Sequence, residues 1–104
     1  MVLITKKEFI ETIREAKEFY FLGCTHQDEY PLERLKKIID GATHEQLTYD
    51  KRYLIKINDY QMISKNKNEE KNYLQFKPFS KYYRDKRIYY ITGNNATLIY
   101  YIKE

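Results

Sequence analysis

Cys24, His26 and His44 are the residues whose chemistry would be sharpest. A thiolate activated by an imidazole is a nucleophile for acyl transfer. The same three side chains, joined by Asp28, would offer a mixed donor set to a transition metal. Their spacing argues against both. Cys24 and His26 are two residues apart, so only a sharply bent loop lets one activate the other, and no CxxC or HxxxH pair accompanies them. Cys24 is expected just past the C-terminal end of a helix, where the dipole is negative and disfavours a thiolate. Asp28-Glu29 and Glu69-Glu70 read as solvated loop carboxylates. The three glycines do not have the spacing of a phosphate-cradling loop. The expectation is a chain with no catalytic set, no metal and no cofactor.

A different chemistry concentrates near the end. The stretch KYYRDKRIYYITGNNATLIYY, residues 81–101, holds six of the twelve tyrosines among Lys81, Arg84, Lys86 and Arg87. Tyrosine favours strands, and aromatic pairs across a ladder stabilise it by about 0.2–1 kcal/mol each, so some rings belong to the interior. Both sides of this ribbon are partly apolar, however, and one domain has a limited interior. We therefore expect Tyr82, Tyr83, Tyr89 and Tyr101, with Arg84, Lys86 and Arg87, to form a contact surface. Tyrosine and arginine dominate binding hot spots because they bury much area at little entropic cost. The same mixture suits nucleic acid, where rings stack on bases and cations neutralise phosphates.

Periodicity predicts the secondary structure around these residues. Thr5-Lys6-Lys7-Glu8 has capping-box spacing. Phe9, Ile10, Ile13, Ala16 and Phe19 or Tyr20 then recur at helical intervals, which predicts a helix over 6–22 closed by Gly23. CTHQDEY, residues 24–30, reads as a polar loop. Pro31 suits the first turn of a second helix, whose apolar stripe is Leu32, Leu35, Ile38 and Ile39 and whose end is Gly41. Thr43 to Gln46 repeats the capping spacing and predicts a short helical turn. From residue 52 the period becomes two. Strands are expected at 52–57, 60–64, 73–77, 86–92 and 97–103, with turns at Asn58-Asp59 and Gly93-Asn94-Asn95. The expected fold is α+β, two N-terminal helices packed on one face of a roughly five-stranded antiparallel sheet.

Length and composition bound the rest. At 104 residues the chain is expected to be a single domain, residues 1–104, and hydrophobic residues make up 42% of it, within the globular range. A single cysteine precludes an internal disulfide, and no apolar run reaches membrane-spanning length. The start lacks the apolar region of a signal peptide, so a cytoplasmic location is expected, and Asn95-Ala96-Thr97 reads as turn chemistry rather than a glycosylation site. Residues 1–50 carry seven Lys/Arg against ten Asp/Glu, a net of −3; residues 51–104 carry twelve against five, a net of +7. Such a dipolar chain steers charged partners by its basic pole. Abundant Lys, Asn, Ile and Tyr suggest an AT-rich genome, such as those of many low-GC bacteria and their phages. These observations together point to a small non-enzymatic binding protein that blocks a site on a larger host protein. Phage or mobile-element inhibitors of a host defence enzyme such as a nuclease, anti-CRISPR proteins among them, are the class expected. The alternative is a DNA- or RNA-binding module using the basic, tyrosine-rich C-terminal strands. Homodimerisation through an exposed strand is a third arrangement open to this chain, and no membrane partner is expected.

Overall fold

The computed structural model describes residues 1–26, 32–93 and 96–103. The expectations attached to Asp28, Glu29, Pro31, Asn94 and Asn95 lie outside the described residues. In chain order the elements are β1 (Val2–Ile4), α1 (Lys6–Ala16), β2 (Glu18–His26), α2 (Leu32–Asp40), α3 (His44–Leu47), β3 (Lys51–Ile57), β4 (Gln61–Asn66), β5 (Lys71–Gln75), β6 (Lys81–Asp85), β7 (Ile88–Gly93) and β8 (Ala96–Tyr101). The strands form one antiparallel sheet in the order β1-β6-β7-β8-β2-β3-β4-β5.

The expected α+β fold is therefore wrong. Among the described residues the chain is mainly an eight-stranded antiparallel sheet with one eleven-residue helix and two smaller ones. Strands form near each of the five expected places, and β1, β2 and β6 add to them. The largest departure is at residues 17–26. The Thr5 hydroxyl accepts from the Glu8 amide and starts α1 as expected. Lys17 then turns left-handed at φ 61°, its amide donating to the Ile13 carbonyl, and ends the helix a turn and a half early. The next residues, EFYFLG, are an aromatic run that gains more as a central strand than as helix. β2 carries the middle of the sheet, between β8 and β3.

A flat sheet in this order cannot be built from this chain. β5 and β6 are six strand spacings apart, about 29 Å at ~4.8 Å each. The six peptide steps from Gln75 to Lys81 reach at most about 22 Å. The sheet must curl until its ends approach, and α1 fills the hollow. Phe9, Ile10 and Ile13 on α1 are buried against Phe19, Ile57, Met62, Phe76, Tyr82, Tyr89, Ile91, Tyr100 and Ile102, which come from both ends and the middle of the sheet. The two larger helices do not share a face either. α2 lies on the outer side, where Leu35 is buried with Tyr90 and Ile99, and Leu22, Ile39, Tyr83 and Ile88 pack around this cluster. α3 is fixed by the expected capping box, with Thr43 and Gln46 exchanging both bonds. Gly93 sits at φ +152°, and a Cβ there would lie 2.7 Å from the Ser80 hydroxyl, so a side chain at the β7 end would strain the backbone and displace Ser80.

Candidate interaction surface

The curl divides the expected contact residues. Across β6 and β7, Tyr82 pairs with Ile91 and Arg84 with Tyr89, which places all four on the inner side. Tyr82 is 4% exposed and Tyr89 2%, both packed on Phe9 with ring centroids 5.8 and 6.1 Å away. These two rings are interior and cannot meet a partner while the chain is folded. Tyr83 is half-buried on the outer side beside α2. Arg84 is exposed near the sheet edge, opposite Val2 of β1. Lys86 and Arg87 are exposed in the β6–β7 turn, which the Ile102 amide ties down by donating to the Arg87 carbonyl. Tyr101 is half-buried and stacks on Tyr20, with centroids 5.6 Å apart and planes 25° from parallel.

Register shows what surrounds Tyr101. One cross-strand row on the outer face runs Ile88, Tyr101, Tyr20 and Lys51. The next runs Glu18, Tyr53, Lys65 and Lys71, and beyond it Ile63 faces Tyr73. α2 and α3 cover the outer face around Tyr83, Tyr90, Ile99 and Leu22, so no described helix lies over the outer side of β3, β4 and β5. Tyr73 is 63% exposed there. The Lys51 ammonium lies 5.2 Å from the centre of the Tyr53 ring, and Lys67 reaches to 5.8 Å from that of Tyr49. Glu18 pairs with Lys51 at 3.3 Å and Glu69 with Lys65 at 3.0 Å. The Glu18 carboxylate raises the Lys51 pKa, chiefly through this hydrogen bond. The result is a tyrosine-lysine platform with two acids set into it.

Sequence reasoning missed Tyr20, Tyr53, Tyr73, Lys51, Lys65 and Lys71. Tyr20 was hidden by its fit to helical spacing. Tyr53 and Tyr73 stand in strands whose alternation was visible, but alternation alone does not say which side a helix covers. The alternation of β5, K-N-Y-L-Q, did carry the signal, since Leu74 faces in and Lys71, Tyr73 and Gln75 face out.

The residues considered for catalysis are dispersed. Cys24 is exposed within β2, opposite Leu98, and is not at a helix end as expected. His26 ends the same strand and His44 opens α3. Among the described residues no group of three or more His, Cys, Asp or Glu could hold a metal ion. No helix among them is long and apolar enough to cross a membrane. Comparison with protein-family models, curated proteins and solved structures finds no match to this chain.

Proposed function

We propose that the chain is a small non-enzymatic binding protein that covers an acidic site on a larger protein with the helix-free outer face of its sheet. The observation that carries this reading is the set of rows in which Tyr101 and Tyr20, beside the helix-covered patch, run on to Tyr53, Tyr73, Lys51, Lys65 and Lys71, on the outer side of strands β3, β4 and β5 that no described helix covers. Rigid rings on a sheet offer large contact area with two rotatable bonds each. Lysines around them set orientation and speed encounter with an acidic surface. Lys86 and Arg87 extend the cationic rim next to Tyr101. A host nuclease or another enzyme of nucleic-acid defence with an acidic groove is a target that such a face could occlude, and a phage or mobile-element inhibitor remains the class that fits.

The test is quantitative capture. Tagged chain should retain one host protein that a Tyr53→Ala, Tyr73→Ala, Lys71→Glu variant of equal stability releases. Equal retention by the variant refutes the assignment of this face.

Direct binding of single-stranded nucleic acid is the second reading, because exposed rings interleaved with lysines on a sheet also suit base stacking. Glu18 and Glu69 weigh against it by neutralising two of the lysines. Binding to mixed oligonucleotides that falls steeply with salt would favour this reading over the first.

A further inference from the structure

The inner face of the sheet is not wholly filled by α1. A cleft of about 180 Å³ opens on it, and no residue of α1 lines it. Its apolar floor comes from Phe21, Leu74 and Leu98. Four polar side chains face the same space: Arg52, Ser64, Asn72 and Tyr100. We propose that this cleft binds a single-ring lactam heterocycle of the pyrimidine-base kind; it opens on the inner side of the strands and meets the protein-binding face only at Tyr73.

Size sets the first limit. A cavity of about 150 Å³ holds one benzene, so this cleft has room for one six-membered ring with its substituents. Charge sets the second. The Arg52 guanidinium is bound in bidentate fashion by Asp50, at 2.8 and 2.9 Å, and lies 5.0 Å from the centre of the Phe21 ring. Its charge is already matched, so it presents a flat wall and spare N–H donors to a neutral ligand rather than a socket for an anion. The hydrogen-bonding pattern sets the third. Ser64 is 2% exposed and Tyr100 5%, and both side chains line the cleft, where their hydroxyls can donate and accept. The Asn72 amide nitrogen donates to the Glu70 carbonyl, which leaves its oxygen to accept. Burial pushes the Tyr100 phenol up, so it stays protonated and able to donate. A phenol or a plain arene uses at most one of these groups. A ring with alternating carbonyl acceptors and N–H donors on its edge uses several at once.

The experiment is an amide-resolved NMR titration of the full chain with uridine and with cytidine. Ligands of this size bind in the ~mM range. The expected result is a saturable shift of the amides of Phe21, Ser64, Asn72 and Leu98 by about 10 mM ligand. Tyr100→Phe keeps the ring and removes only the hydroxyl, so it should fold as well as the parent and bind about fivefold more weakly. An oligouridine arm separates two sources of the same ring: tighter binding than uridine assigns the base to a single strand, and equal binding assigns it to a free nucleoside. No shift at these amides overturns the proposal, as does an equal response to phenol or an affinity unchanged in Tyr100→Phe. The outcome is independent of protein capture by the outer face, because Tyr100→Phe alters nothing there.

Discussion

The rings of Phe76 and Tyr82 lie 6.1 Å apart at 63°, although β6 and the β5 strand that Phe76 follows are near opposite ends of the sheet. Both also pack on Phe9 of α1. This three-ring contact is where the curled sheet meets its own far side. Phe76→Ala should therefore cost about 3–5 kcal/mol, at the upper end for a ring deletion, because the gap opens along the seam. Denaturant unfolding measures it. A loss under about 1 kcal/mol would place the closure elsewhere.

Tyr82 carries a second consequence. Its hydroxyl is buried with no hydrogen-bond partner, and burial raises its pKa. An unmatched buried hydroxyl costs about 1–3 kcal/mol. Tyr82→Phe removes the cost and keeps the ring, so it should raise the melting temperature by several degrees, about 4–8 °C per kcal/mol recovered. A fall in melting temperature on this change would mean that the hydroxyl is paired.

Tyr90 makes stability depend on alkaline pH. It is buried beneath α2, and its hydroxyl also has no partner. Burial, helped by the nearby carboxylates of Asp85 and Asp40, pushes its pKa up to about 12 from the usual 10. A folded-state pKa above the unfolded value leaves stability intact below pH 10 and removes it as the pH rises toward 12, because only the unfolded chain releases the proton. Tyr90→Phe should flatten that decline. Unfolding free energies of the two chains between pH 9 and 11.5 should diverge with rising pH, and parallel curves would rule out this origin for the decline.

Lys17 is a non-glycine residue in the left-handed region at the end of α1. Glycine adopts this conformation without the Cβ penalty, so Lys17→Gly should stabilise the chain by about 1 kcal/mol despite the greater freedom of its unfolded state. Thermal unfolding reads the gain. A loss would indicate that the lysine stem contributes packing that outweighs the strain.

Much of the local structure was legible, and the architecture was not. Thr5 and Thr43 announced their helix starts, and the strands after residue 50 other than β6 followed from alternation. Phe19 and Tyr20 continued a helical spacing that Lys17 broke, and nothing about lysine predicts a left-handed cap. Val2–Ile4 is too short to be recognised before its partner β6 is known. With β1, β2 and β6 unseen, the short link from β5 to β6 could not reveal that the sheet must curl. The candidate surface suffered from the same gap. An excess of rings was readable, but which rings the core would take depended on the curl. Tyr82 and Tyr89 went inside, and Tyr20, Tyr53 and Tyr73 stayed out in their place.

Lysine acetylation footprinting of the chain with its captured partner tests whether partners are met by the outer face of β2–β5. Lys51, Lys65 and Lys71 should lose reactivity in the complex, while Lys6 and Lys7 at the start of α1 keep theirs. Unchanged labelling of Lys51, Lys65 and Lys71, with protection confined to other lysines, would contradict that assignment.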